Sequence, residues 1–155
     1  MAYNDKRSPD IIEKRKCYMN LFNYFTPKAD TFYLQSDATI RQAIEKFDYH
    51  KFSVVPLIDK DGFYVSTISE GDILRYIKNE ANFDINYAES VSLEEIERYR
   101  SYSACKSDAS LADIMQLALQ QNFVPIVDDR GMYIGIIKRK TILNHLLEAN
   151  AAEVK

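Results

Sequence analysis

Val55-Pro56-Leu57-Ile58-Asp59-Lys60-Asp61-Gly62-Phe63-Tyr64-Val65-Ser66-Thr67-Ile68-Ser69-Glu70-Gly71-Asp72-Ile73-Leu74 returns, without a gap, as Val124-Pro125-Ile126-Val127-Asp128-Asp129-Arg130-Gly131-Met132-Tyr133-Ile134-Gly135-Ile136-Ile137-Lys138-Arg139-Lys140-Thr141-Ile142-Leu143. Each copy reads as an apolar run, an Asp-bearing turn ending in Gly, a second apolar run and a polar tetrapeptide that opens onto Ile-Leu. Short apolar runs bounded by turn residues predict two strands joined by a hairpin, and the Ile-Leu segment predicts a helix. The repeat extends upstream, because Ser36-Asp37-Ala38-Thr39-Ile40 matches Ser107-Asp108-Ala109-Ser110-Leu111 two residues closer to its strand. Each unit therefore holds two helices. A unit of roughly fifty residues buries too little surface to stand alone, so the two copies are expected to pack on each other.

The chain has 155 residues and a formal net charge of -3. That length suits one body of two similar halves, with roughly two-thirds of the unfolded surface buried. The slightly acidic balance excludes a general attraction to nucleic acid or anionic lipid, so anion binding needs a local cluster. Cys17 and Cys105 stand far apart and outside any C-x-x-C spacing. Neither a disulfide framework nor a zinc site is indicated, and a reducing, cytoplasmic setting is expected. Met1 to Asp10 is polar and charged, and no apolar stretch approaches the ~18 residues of a membrane span, so neither a signal peptide nor a span is expected.

Taken in order, residues 1–29 form a lead-in. Ser8-Pro9-Asp10 predicts a helix entry, and the helix runs to about Phe22 with Ile11, Ile12, Tyr18, Met19 and Phe22 on one side. Thr26-Pro27 ends that segment. The first unit spans 30–79: a strand over Thr31–Leu34, a helix capped by Ser36 or Asp37 with Ile40, Ala43, Ile44 and Phe47 as its apolar stripe, strands at about Ser53–Ile58 and Phe63–Ile68, and a helix over Gly71–Lys78. Residues 80–103 are more polar and read as a connector, with Ser92-x-x-Glu95 predicting one capped turn. The second unit, 104–149, has Leu111, Ile114, Met115 and Ala118 as its stripe, strands at about Phe123–Val127 and Met132–Ile137, and a last helix through Leu147. The tail 150–155 is expected to fray.

Apolar-Pro-apolar-apolar-Asp, a turn closing in Gly, a β run and then Ser-x-x-Asp-Ile resembles the CBS domain, named for cystathionine β-synthase. Two copies resemble a tandem CBS pair of the stand-alone bacterial type, and the likeness covers about Asp30 to Leu147. The resemblance implies an α+β fold of two β-α-β-β-α units related by pseudo-twofold symmetry, here with an added N-terminal helix. It also implies two clefts that often bind adenine nucleotides, and homodimers formed through the helices. By the same likeness Asp72, with Ser69, holds the ribose hydroxyls, while Phe52, Val54 and Pro56 lie near the base. Ser36, Phe123, Val124 and Thr141 complete the ligand-binding candidates.

The residues also have readings of their own. Ser69 followed three residues later by Asp72 is close to a capping box, and a carboxylate at a helix start can serve the cap and a hydroxyl ligand together. In the second copy Lys138, Arg139, Lys140 and Thr141 replace Ser69, Glu70, Gly71 and Asp72, so the carboxylate is missing there. Three bases at a helix start oppose the macrodipole, and a bound anion reverses the sign. Lys138, Arg139 and Lys140 are therefore candidate phosphate ligands. Asp59, Asp61, Asp128 and Asp129 look like carboxylate pairs, but with Gly62 and Gly131 they are better read as turn residues. His50 and His145 have no nucleophile or metal-ligand spacing around them. Tyr33, Tyr64, Tyr99, Tyr102 and Tyr133 suit sheet-edge packing or base stacking, and Arg98 and Arg100 suit a phosphate or a partner surface.

The expectation is a non-catalytic regulatory sensor, without metal or cofactor, that binds AMP, ADP or ATP between its units, dimerises and acts on a separate regulated protein. The alternatives are a cyclic di-AMP receptor and a ligand-free protein interaction module. An enzyme is disfavoured because no acid, base and nucleophile converge.

Overall fold

The computed structural model describes residues 21–154. The helix expected from Ser8 lies outside these residues except for its last two positions, which fall in a 3-10 turn over Leu21–Asn23. Thr26-Pro27 was expected to end a segment but instead belongs to a strand, β1 (Phe25–Pro27), followed by a 3-10 turn over Lys28–Asp30.

The first unit is β2 (Leu34–Gln35), α1 (Ile40–His50), β3 (Val54–Ile58), β4 (Tyr64–Ser69) and α2 (Glu70–Asn79). The connector holds α3 (Ile85–Ser90) and a 3-10 turn over Leu93–Glu95. The second unit is β5 (Cys105–Lys106), α4 (Leu111–Ala118), β6 (Phe123–Val127), β7 (Tyr133–Lys138) and α5 (Arg139–Glu153). The repeat thus gives β-α-β-β-α twice. The last helix outruns its expected end at Leu147, and the first strand is shorter than Thr31–Leu34 implied.

Each unit pairs its first strand parallel to its second and its second antiparallel to its third. One sheet runs β2-β3-β4, and the other runs β1-β7-β6-β5. The fourth strand, β1, lies antiparallel on β7, with Pro27 opposite Gly135. Pro is tolerated there because β1 is an edge strand. Gly135 is required because an added Cβ sits 2.2 Å from the Thr26 carbonyl oxygen. The matching position in the first unit is Ser66, and among the described residues no strand joins β4 on that side.

Capping fixes the helix starts. Thr39, rather than Ser36 or Asp37, caps α1: its hydroxyl accepts from Gln42 N while the Gln42 amide oxygen accepts from Thr39 N. Ser110 and Asp113 do the same for α4, and Ser69 and Asp72 for α2. Lys138 stands at the corresponding position of α5 and offers no side-chain cap. The hairpin turns follow their Asp residues: Asp59 Oδ1 accepts from Asp61 N and Phe63 N, and Asp128 Oδ1 from Arg130 N and Met132 N. Burial raises the Asp128 carboxyl, but these backbone donors and the Arg130 guanidinium outweigh it and hold the group below its usual range.

Two cores and one seam organise the molecule. Ile40, Ala43, Phe47, Val55, Leu57 and Ile68 fill the first unit together with Ala88, Val91, Leu93 and Ile96, so the polar-looking connector contributes four buried side chains to that core. Its backbone is tied in by Ile40 N to Val91 O and Leu93 N to Ala38 O. Ile44, expected in the stripe, is exposed. The second unit closes over Ile114, Val124, Ile126, Ile137 and Ile142, with the lead-in residues Leu21, Tyr24 and Phe25 packed against it. Between the sheets lies a seam of Ile58, Phe123, Tyr133 and Ile136, flanked by Tyr33, Val54, Tyr64 and Tyr102. The two hairpins also exchange hydrogen bonds, Tyr64 N to Gly131 O at 3.3 Å and Tyr133 N to Gly62 O at 2.9 Å. No helix among the described residues is long and apolar enough to cross a membrane.

Candidate functional site

The antiparallel register of β3 and β4 sets Val54 opposite Ser69, so the start of the Pro-containing strand lies beside the start of α2. Ser69 is the N-cap of that helix and Asp72 its third residue. Asp72 is only 3% exposed. Its Oδ2 accepts from Ser69 N at 2.9 Å and from Ser69 Oγ at 2.8 Å. Its Oδ1 accepts from the backbone N–H of Tyr99, in the connector, at 2.9 Å and faces the Arg75 guanidinium at 3.6 Å. That guanidinium in turn stacks on the Tyr99 ring, 4.0 Å from its centre.

The second unit supplies the opposite wall. Arg139, the first residue of α5, donates to Asn122 Oδ1 at 2.5 Å, and its own backbone N–H donates to Asn122 O at 3.0 Å. The Tyr102 hydroxyl accepts from Asn122 N at 3.4 Å, which ties the connector to the same corner. Between the walls lies a cleft of about 880 Å³ lined by Val54, Thr67, Ser69 and Asp72 on one side, Leu119, Gln120, Asn122 and Arg139 on the other, and Tyr99 to Tyr102 across the connector. With Arg75 and Arg100 also on its surface, the cleft carries three guanidinium groups against one carboxylate. It attracts anions, and its size is that of a small-molecule site.

A groove of about 500 Å³ adjoins it, lined among others by Asn79, Glu80, Glu95 and Glu97. Asp72, Arg75 and Tyr99 border both cavities and form the partition between them. Arg98 backs that partition. Its side chain donates to the carbonyls of Ile96 and Leu93 and to Ser66 Oγ, and burial lowers its pKa, against which Asp72 pulls upward. Tyr64 lies near it. Burial pushes the Tyr64 phenol up to about 12, although a hydrogen bond with Thr67 acts in the other direction.

Of the residues singled out in the sequence, the structure brings Val54, Ser69, Asp72, Tyr99, Arg100, Tyr102 and Arg139 to one cleft. Val124 lies in the second core, and Pro56 is buried. Phe123 lies in the inter-sheet seam with its ring 5.2 Å from that of Tyr102. Phe52 is half exposed in a stack with Phe32 and His50 away from the cleft lining. Ser36 is buried and donates to the Glu94 carboxylate, pinning the connector to the first unit. Lys138 and Lys140 are exposed, and with Thr141 they fall outside the lining of both cavities. Thus the three consecutive bases do not line one cavity together. Arg139 alone turns inward, where Arg75 and Arg100 join it. Arg100 had been a candidate from its charge, but Arg75, Thr67 and Asn122 carried no signal beyond their place in the repeat. Among the described residues no group of three His, Cys, Asp or Glu side chains is placed to hold a metal.

Comparison with known proteins places this arrangement. The family described as CBS domain matches residues 25–79 and 96–148. An uncharacterised protein of Methanocaldococcus jannaschii is 27% identical over 140 residues, covering 72% of this chain and 83% of the relative. A crystal structure of CbpB in complex with cyclic di-AMP is 25% identical, with a TM-score of 0.77 over 94% of this chain and 99% of that one. CbpB from Streptococcus agalactiae is 28% identical, with a TM-score of 0.73 over 87% of this chain and 86% of that one. The two halves that the repeat set apart, with their twin sheets and shared seam, are two CBS domains, and the chain belongs to the CBS domain family.

Proposed function

We propose that this CBS pair is a non-catalytic regulatory module that takes an adenine nucleotide into the cleft between its units. The observation that carries the reading is the joint lining of that cleft: Ser69 and Asp72 at a helix start on one wall, Arg139 on the other, and Arg75 and Arg100 between. Guanidinium groups recognise phosphate through paired donors. Val54, Leu119 and the Tyr102 ring supply an apolar and aromatic surface for a base. Because one wall comes from each unit, a ligand that touches both favours one relative placement of the units, and its occupancy becomes a population shift. The exposed side chains Leu74, Leu143 and Leu147 give that shift a surface through which to reach a second copy or a regulated protein, in a cytoplasmic setting.

A linear nucleotide, AMP, ADP or ATP, uses Asp72 for its ribose hydroxyls. A second reading, cyclic di-AMP, is supported by the three guanidinium groups and by the ligand of the CbpB structure. Isothermal titration of the protein and of Asp72→Ala and Arg139→Ala with AMP, ATP and cyclic di-AMP separates them. Binding of AMP or ATP that Asp72→Ala abolishes supports the linear reading. Binding of cyclic di-AMP alone, indifferent to Asp72→Ala and lost in Arg139→Ala, supports the cyclic one. No heat with any of the three leaves a ligand-free interaction module.

A further inference from the structure

We infer that Tyr99 is an internal occupant of the Asp72 carboxylate and thereby decides which nucleotides the cleft accepts. The inference rests on the reading of that cleft as a nucleotide site. Among the described residues, Asp72 accepts two hydrogen bonds from Ser69 and one from the Tyr99 N–H, and the Arg75 guanidinium adds its charge. The Ser69 donors belong to the capping box of α2 and leave only if the helix start unwinds. The Tyr99 N–H is different. It comes from a connector residue whose side chain is 70% exposed, and its ring is held by the stack on Arg75.

Tyr99 can therefore turn away at the cost of one ring contact and one hydrogen bond, its own N–H meeting water while the buried Oδ1 of Asp72 is left for a ligand to fill. The movement frees Oδ1 and removes one member of the partition between the cleft and the adjoining groove. A ligand with two vicinal hydroxyls fills the freed acceptor and offsets the loss. A cyclic dinucleotide, whose 3′ oxygens are tied up in phosphodiesters, has no such pair and must bind with Tyr99 in place. Tyr99 is thus a positioning residue with a ligand-selecting consequence, and it acts through Asp72.

The test is amide hydrogen exchange of Tyr99, read by NMR on the full chain without nucleotide, with AMP and with cyclic di-AMP. Without nucleotide the Tyr99 amide is protected, and Asp72→Ala abolishes the protection. Saturating AMP speeds its exchange at least about tenfold, whereas cyclic di-AMP leaves it unchanged. Tyr99→Ala keeps the N–H but removes the ring stack, so AMP affinity rises about three-fold relative to that of cyclic di-AMP, in line with an exposed cation–π contact. AMP binding with Tyr99 protection intact overturns the inference and leaves the nucleotide reading standing. Failure of both nucleotides to bind either the unaltered chain or Tyr99→Ala overturns both together.

Discussion

Replacing Gly135 by Ala sets a methyl group against the Thr26 carbonyl and within 2.6 Å of the Phe25 ring, neither of which can yield without moving β1. Gly135→Ala should cost about 2 kcal/mol or more by overpacking, seen as a lower denaturant midpoint. Ser66→Ala, at the matching position of the first unit, should cost under ~1 kcal/mol, since it loses only a long hydrogen bond from Arg98 at 3.4 Å. At this scale the sequence was legible where a side chain acts through its neighbours in the chain. Asp59, Asp128, Ser69 and Asp72 could be read from turn and cap spacing alone. It was not legible where the partner is remote. Nothing near Asp72 announces the Tyr99 N–H, 27 positions away, and nothing near Arg75 announces the ring it lies on.

Helix starts carry a second contrast. Thr39, Ser69 and Ser110 each close a capping box, whereas α5 begins on Lys138 with Arg139 and Lys140 behind it. Lys138→Ser should raise stability by about 1 kcal/mol, because it adds a cap and removes a charge that opposes the helix dipole. Thr39→Ala should lower stability by a similar ~1 kcal/mol. Thermal unfolding of the two variants checks both signs, and a destabilised Lys138→Ser would show that this lysine has a native partner. The elements themselves were legible because apolar periodicity and the repeat agree. The exceptions have physical causes. Strand β1 hides behind a Thr-Pro pair that reads as a terminator, and it exists only because Gly135 lets it approach. Residues 88–96 look polar because the positions between the buried ones are Glu and Ser, while Ala88, Val91, Leu93 and Ile96 lie in the first core.

The whole molecule depends on the seam between its sheets, and two tyrosines there report on it. Burial pushes the phenols of Tyr64 and Tyr133 up to about 12 from the usual 10, although hydrogen bonds to Thr67 and Thr31 pull the other way. Between those values the unfolded chain has lost protons that the folded chain keeps, so stability falls as pH rises. Unfolding free energy should hold up to about pH 10 and decline toward pH 12, with a shallower decline in a Tyr64→Phe, Tyr133→Phe double variant. Denaturant titration along that pH series, beside tyrosinate absorbance of the folded protein, measures it. At this scale the repeat announced two packed units, but not the cleft's contents, because Tyr99 to Tyr102, which line it, lie upstream of the stretch whose repetition is visible in the sequence. The paired bonds from Tyr64 to Gly131 and from Tyr133 to Gly62 have a further consequence. Each unit gives what it receives, which is how two identical subunits meet across a dyad. Joined in one chain, the two partners find each other at an effective concentration set by the tether, so their pairing no longer varies with the amount of protein. The two copies therefore need not be identical, and one face carries Asp72 where its twin carries Thr141.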